Sequence, residues 1–384
     1  MKIGITTHYY NSNNYGGNLQ AYALCKVLKN NGVDAEQICF SRQPKKTSLR
    51  QTLKNDGFLV FTKKAVKKIF EKIKKLAPKN KKFLAQLEKR KQNFSKFNRS
   101  IPHSQKVYNQ NDIASANDVY DLFITGSDQV WHPSAINQAY SLEFVKEKPK
   151  ISYAASISKS SLTDNQKEYF KNFLKDYKAV SVREQNAVDI LKDLSPVSVD
   201  WVLDPTMLLP ADDWQQILQE CDVKGEYLFC YFLGDDKNQR KRAKEYAKQN
   251  GLKTVDIPHL QGSYEKADKN FADISIQDAS PEQFLWLIKN AKCVFTDSFH
   301  STVFSLIFKK QFYVFERAGY KGMGGRIISL LSLFDLNDRF VLDEKSKNLD
   351  YVNGLNKIDF SKDFDKFNQM KNKSVNFLLG NLNI

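Results

Sequence analysis

The sequence predicts an α/β fold of two Rossmann-like domains facing a cleft, on three grounds. Short apolar runs alternate with helix-period patterns. The alternation runs through twice, resuming after Leu203-Asp204-Pro205. The 384 residues also outgrow one hydrophobic core, since a domain usually holds about 100 to 200. Hydrophobic residues at 41% supply enough material for two packed cores despite a charged fraction of 27%.

The first series opens with a βαβ unit: a strand over 2–7, the glycine-containing loop Asn14-Tyr15-Gly16-Gly17, a helix over 19–29 ending at Gly32, and a strand over 33–40. Strands follow at 121–125, 151–156 and 179–183, with helices at 165–175 and 185–194. In the second series, strands at 227–233, 253–257, 293–296 and 312–315 alternate with helices at 237–249, 281–290, 302–308 and 326–333. The helix at 281 has the best-marked start: Ser280 as N-cap, Pro281 in the first turn and Gln283 completing a capping box. Such alternation implies parallel sheets covered by helices, with ligands outside the carboxyl ends of the strands. The active site is therefore expected between domains 1–205 and 206–384, with the last helix free to pack back on the first.

The formal charge of +16 is local. Between Arg42 and Lys106 stand 21 Lys or Arg against three acids, Asp56, Glu71 and Glu88, whereas the remainder holds 38 basic and 40 acidic residues. Val66, Ile69, Phe70, Ile73 and Leu76 recur at helical spacing among lysines, and a second helix is expected over 83–97 after a break at Pro78-Lys79-Asn80. Residues 42–106 therefore read as an amphipathic helical insertion after the second strand. They lack the stacking aromatics and motifs of nucleic-acid readers, so nucleic acid is not expected as a partner. The five cysteines are odd in number and show no metal-ligand spacing, which reads as reduced buried thiols with no metal site. The opening Met1-Lys2-Ile3-Gly4-Ile5-Thr6 reads as a strand, not a secretory signal, and no run approaches the roughly 18 apolar residues of a spanning helix. A cytoplasmic location is expected, with membrane association at most peripheral.

His300 follows an apolar strand and falls in the first turn of a helix beginning near Ser298, where unpaired N–H groups and the helix dipole suit a phosphate or carboxylate. An imidazole there can move a proton, or can merely cap its helix. Arg183 ends a strand and either pairs with Glu184 or presents its fork to an oxyanion. Gly126-Ser127-Asp128-Gln129-Val130-Trp131 releases a small polar cluster at a strand end, readable as a functional loop or as an Asx turn anchoring Trp131. Gly16-Gly17 admits close approach of a ligand, or is a tight turn without one; it lacks the G-x-G-x-x-G fingerprint. His8 ends the first strand and could face the cleft. Asp204-Pro205 reads locally as a turn between domains. Lys321 and Arg326, in the glycine-rich stretch 319–325 and just after it, complete an anion site or are solvated charges.

In order along the chain, Asn-Tyr-Gly-Gly-Asn-Leu-Gln at 14–20, Gly-Ser-Asp-Gln-Val-Trp at 126–131, Ser-Tyr-Ala-Ala-Ser at 152–156, Ser-Val-Arg-Glu at 181–184, Val-Leu-Asp-Pro-Thr at 202–206 and Thr-Asp-Ser-Phe-His-Ser-Thr at 296–302 make a set. Together with Gly325-Arg326-Ile327, that set resembles the polysaccharide pyruvyl transferase family over nearly the whole chain. The resemblance implies a fold similar to the two-Rossmann (GT-B) glycosyltransferases. It also implies transfer of the pyruvyl group of phosphoenolpyruvate to two hydroxyls of one sugar, with no cofactor besides that co-substrate. It makes His300 the general acid/base and Arg183 a donor-binding residue, with Ser298, Ser301, Lys321 and Arg326 holding the donor's anionic groups. Tyr15, Gly16, Gly17, Asn18, Ser127 and Asp128 would face the acceptor. A lipid-linked acceptor in capsule or cell-wall polysaccharide synthesis would make use of attraction between residues 42–106 and the anionic inner leaflet. A nucleotide-sugar glycosyltransferase of the same fold is the competing expectation; a membrane or nucleic-acid adaptor acting through 42–106, with a disused cleft, is another.

Overall fold

In a computed structural model of the chain, which describes residues 1–42, 78–260, 267–317, 324–342 and 349–382, two parallel sheets repeat one strand order. The first runs β3 (His103–Tyr108), β2 (Asp34–Phe40), β1 (Lys2–Thr6), β4 (Leu122–Thr125), β5 (Lys150–Ser152). Isolated parallel bridges at Ile151–Ala179 and Ala155–Val182 carry it on to β6 (Val180–Val182), which pairs with β7 (Val199–Trp201). The second runs β10 (Ile274–Ser275), β9 (Lys253–Asp256), β8 (Tyr227–Tyr231), β11 (Cys293–Thr296), β12 (Gln311–Phe315), β13 (Phe340–Val341). In each sheet the order reverses beside the first strand. That opens a crevice beyond the carboxyl ends of β1 and β4 in one sheet and of β8 and β11 in the other.

Helix α1 (Tyr15–Asn30) follows β1, and α2 (Pro78–Ser100) crosses from β2 to β3. Next come α3 (Asp164–Leu174), α4 (Gln185–Leu191), α5 (Ala211–Gln215) and α6 (Lys237–Gln249). The series ends with α7 (Pro281–Asn290), α8 (Phe299–Ile307), α9 (Gly325–Ser332), α10 (Leu349–Gly354) and α11 (Asp365–Gly380). The capping box expected at Ser280 and Gln283 is present at the start of α7. Two expectations are corrected. Gly16 and Gly17 lie in the first turn of α1, not in a loop, because Asn14 caps the helix by accepting a hydrogen bond from Gly17 N at 3.2 Å. The segment 42–106 is not all insertion: α2 is the β2–β3 crossover and β3 pairs with β2, so the described part belongs to the sheet's own winding. Pro78 opens α2 where a break was expected, since a first-turn residue needs no N–H donor. The helix pattern around residues 66–76 lies outside the described residues.

The two halves share one hydrophobic cluster that runs from Ile3 to Leu382. Tyr15 is its pivot: the ring stacks on Phe284 at 4.6 Å and packs on Phe94 at 4.8 Å, while the hydroxyl donates to Ala279 O at 2.8 Å. From α2, Asn93 donates to Asp278 O at 2.6 Å and Lys89 pairs with Asp278 at 2.7 Å. The last helix, α11, lies beside β7: Leu203 N donates to Ser374 Oγ at 2.9 Å and Lys373 pairs with Asp200 at 2.8 Å. All five cysteines are buried and free.

At the end of β9, Asp256 is buried with Oδ1 unpartnered among the described residues, and burial, aided by the nearby Asp268 charge, pushes its carboxyl up to about 7. The ordinary value is about 4, so between about pH 4 and 7 the native chain binds the extra proton and stability falls as pH rises. Asp256→Asn is therefore expected to raise the melting temperature at pH 8, by up to about 4 kcal/mol of stability, and to change it little at pH 4. Equal shifts at both pH values would refute this account.

Candidate functional site

The two switch points open onto one cavity of about 380 Å³. Its second-half wall is the start of α8. Ser298, which lines the cavity, caps the helix, with Oγ accepting from Ser301 N at 3.5 Å and so satisfying one of the first-turn N–H groups. Residue 300 then projects toward the first half. The His300 ring lies so close to α1 that a Cβ on Gly16 would come within 2.0 Å of its Nδ1. A Cβ on Gly17 would stand 2.4 Å from the His8 carbonyl oxygen. Glycine at both positions is thus a consequence of packing a helix start against a histidine ring and a strand end.

Behind His300 lies a buried charge network that joins three separate segments. Arg183, 3% exposed at the end of β6, donates from Nη1 to Asp204 Oδ2 at 2.7 Å and rests over the Phe299 ring at 4.3 Å. Ser127 Oγ donates to the same Asp204 oxygen at 2.8 Å; Thr206 N and Oγ1 donate to the other at 3.0 and 2.6 Å. His300 Nε2 faces Asp204 Oδ2 at 3.5 Å. Burial alone would raise the Asp204 carboxyl, but His300, Arg183 and Thr206 outweigh it and hold it far below the carboxylate range. Asp204 is therefore held ionised, and its carboxylate is the group that His300 Nε2 faces; that nitrogen is buried and makes no hydrogen bond among the described residues.

Asp128 completes the network, with Oδ1 3.7 Å from Arg183 Nη2. Its backbone has φ 77° and ψ −176°, a region nearly reserved for glycine. That geometry persists because Ser156 N and Val130 N both donate to its carbonyl, at 2.9 and 2.8 Å. Burial would raise the Asp128 carboxyl, yet Arg183, His300 and His8 keep it lowered. His8 accepts from Arg42 at 2.6 Å if its Nε2 is unprotonated, and burial lowers its imidazole to about 4, so His8 is neutral near pH 7.

Arginines line the cavity. Arg326, from the start of α9, donates to Ser158 Oγ at 3.1 Å; its Nε is buried with no partner among the described residues. Burial, together with the charges of Arg183 and Arg317, lowers its guanidinium to about 10. Arg317, beyond β12, donates to Asp297 O at 3.1 Å, and Arg90 reaches in from α2 across the Tyr15 ring at 4.9 Å. Arg317 is also paired with the Asp297 carboxylate at 3.3 Å, so it is the crowded Arg326 that a bound anion would relieve.

The structure brings His300, Ser298, Arg326, Tyr15, Gly16 and Asp128 to the cavity wall. Ser127 and Arg183 stand behind it, bonded to Asp204; Gly17 packs on His8; Asn18 donates to Ser12 O and Asn14 O, pinning the loop before α1. Ser301 Oγ is buried without a hydrogen-bond partner among the described residues and does not line the cavity. Lys321 lies outside the described residues. Asp204, Arg90 and Arg317 escaped the sequence reading. Asp204 does cap a turn, as local pattern suggested, and its second oxygen does the rest. Arg317 could have been found by its place after a strand; Arg90 is hidden in a lysine-rich run. Among the described residues no group of three metal-ligating side chains occurs.

Two facing Rossmann-type sheets with a shared cleft define the class of enzymes known as GT-B, and solved structures of that architecture match over the whole chain. A UDP-GlcNAc 2-epimerase from Neisseria meningitidis bound to UDP-GlcNAc is 12% identical, with TM-score 0.51 over 99% of this chain and 100% of its own. The MnaA–UDP co-structure from S. aureus is 12% identical, with TM-score 0.53 over 100% and 97%. The enzyme from Methanocaldococcus jannaschii in complex with UDP-GlcNAc and UDP is 13% identical, with TM-score 0.51 over 97% and 99%. At such identities the likeness is one of fold. No curated protein matches the sequence. Residues 14–319 match polysaccharide pyruvyl transferase, and the chain belongs to that family.

The contact between Gly16 and His300 makes a prediction independent of activity. Gly16→Ala is expected to lower stability in chemical denaturation by about 1 to 3 kcal/mol through overpacking. Adding His300→Ala should recover most of that loss. A double variant no more stable than Gly16→Ala alone would show that the ring is not what the methyl meets.

Proposed function

We propose that the protein moves the pyruvyl group of phosphoenolpyruvate onto two hydroxyls of one sugar in a polysaccharide precursor, forming a cyclic ketal and releasing phosphate. The observation that carries this reading is the placement of His300, backed by Asp204, at a helix start beside Arg326 and Arg317. The donor carries a phosphate and a carboxylate, and the cations and helix N–H groups suit both.

The chemistry calls for a proton at the methylene carbon of the donor, which makes the adjoining carbon electrophilic. One sugar hydroxyl adds there and gives up its proton; the second hydroxyl displaces phosphate, and its proton leaves with the phosphate. His300 is suited to deliver the first proton from Nδ1, the nitrogen turned from Asp204, and to regain one from a hydroxyl. Asp204 acts as a positioning residue, its carboxylate facing Nε2 of the ring at 3.5 Å. Arg326, Arg317 and Arg90 stabilise the departing phosphate. Tyr15, Gly16 and Asp128, which line the same cavity, would contact the acceptor. Arg183, Ser127, Gly17 and Asn18 support them from behind. No helix of the described residues is long and apolar enough to cross a membrane. A lipid-linked acceptor would bring the chain to the inner leaflet through its lysine-rich segment.

Phosphate release from phosphoenolpyruvate, assayed with galactose, glucose, mannose and N-acetylmannosamine glycosides, tests the reading. Acceptor-dependent release is expected, falling about 100-fold or more in His300→Ala. Asp204→Asn should cost at least about tenfold and alter the pH profile, because the imidazole loses its anionic partner. No release with any acceptor, and no thermal shift from phosphoenolpyruvate, would sink the proposal; a shift from a nucleotide sugar instead would favour glycosyl transfer.

A further inference from the structure

A second and larger cavity, of about 640 Å³, adjoins the first in the N-terminal half. It lies between the loop joining β1 to α1 and the second half of α2, beyond the carboxyl ends of β1 and β2. Asn13 lines both cavities, so one wall is continuous.

The two linings differ in kind. The smaller cavity is bordered by Arg90, Arg317 and Arg326. Side-chain amides of Asn11, Asn13, Gln92 and Asn98 line the larger one, with the phenols of Tyr9 and Tyr10. Charges there are fewer than in the smaller cavity: Lys91 pairs with Glu88 at 3.6 Å and His103 Nδ1 is 2.6 Å from Ile101 O, which leaves the exposed Arg99 as the net positive charge against three guanidiniums next door. A phosphate would call for converging cations, and a hydrocarbon chain for apolar walls. Amides that both donate and accept, beside aromatic faces, suit a neutral ligand rich in hydroxyls and C–H faces. Asn98, whose Oδ1 is buried with no partner among the described residues, stands in the same wall.

We propose that this groove binds the sugar unit or units next to the one that is modified, so that an oligosaccharide acceptor is held more tightly than a lone sugar; the assignment rests on the ketal-transfer reading only for which sugar reacts. A cavity of about 380 Å³ is at the low end for ligand sites, which run from about 300 to 1,000 Å³, and a donor and one sugar ring would fill it. The groove provides the space for the next ring, reached past Asn13 without crossing the arginine-lined wall.

The test measures binding to the full chain by isothermal titration and saturation-transfer NMR. Lactose, cellobiose, mannobiose and N,N′-diacetylchitobiose are each compared with their own monosaccharides. At least one disaccharide is expected to bind tenfold or more tightly than its monosaccharide. Ser95→Trp, which fills the groove from an exposed position on α2, should abolish that advantage. Gln92→Trp, also exposed, serves the same purpose, and Asn98→Ala should reduce the advantage severalfold. The thermal shift from phosphoenolpyruvate should be the same in all three variants. No disaccharide advantage, or one that survives both tryptophan variants, overturns the proposal. A disaccharide advantage that Ser95→Trp removes, in a chain that neither responds to phosphoenolpyruvate nor releases phosphate from it, would uphold the groove while sinking the ketal-transfer reading.

Discussion

Asp204 is the charge on which the site depends. Its two carboxylate oxygens take hydrogen bonds from Arg183, Ser127 and both Thr206 donors, and one of them faces His300. These partners come from the end of β6, the loop after β4, the turn after β7 and the start of α8. A carboxylate in so dry a place is tolerated because its partners are in position; with one removed, the remaining buried charge typically costs about 3 to 5 kcal/mol. The same ion that stabilises the junction of the two halves therefore also sets the direction of the His300 ring. Structure and chemistry meet at a single side chain.

The start of α1 is shaped by what it faces. Two glycines in a first turn cost roughly 1 kcal/mol each against alanine, and the Asn14 cap returns about as much as one of them. The remainder is the cost of bringing the helix start against the His300 ring and the His8 carbonyl, which any side chain would prevent. Asp128 carries a comparable local cost in its backbone, held by hydrogen bonds from the neighbouring strand end. Both departures from local preference border the same cavity. They are placed where two sheets must come close enough for one residue to reach across.

Much of this was legible in the sequence because parallel strands, buried on both faces, read as short apolar runs, and helix starts carry cap residues. The capping box at Ser280, the strand at Cys293–Thr296 and the position of His300 could be read in that way. Edge strands could not: β3 shows an alternation broken by exposed charge, and β13 is two residues long. Asp204 was hidden because its local role as a cap is complete without its distant one. Arg90 was hidden because a run of lysines and arginines gives no sign of which residue is turned inward. Contacts between residues 100 or more positions apart leave no mark on local pattern.

Charge divides the cleft. Arg317 and Arg326 belong to the second half, and Arg90 is delivered by α2 across the Tyr15 pivot, so the cationic wall is built from both halves. Arg90 is buried against Tyr15 and Phe94, where a lysine's strongly hydrated ammonium would be poorly accommodated. A guanidinium keeps its charge there and stacks on the rings. Among the described residues of α2 this separates the buried Arg90 from Lys89, Lys91 and Lys96, which are exposed. Under the ketal-transfer reading, that division allows one helix to serve two partners of opposite character: an anionic donor on the side of Arg90, and a neutral glycan along the face that carries Gln92 and Asn98.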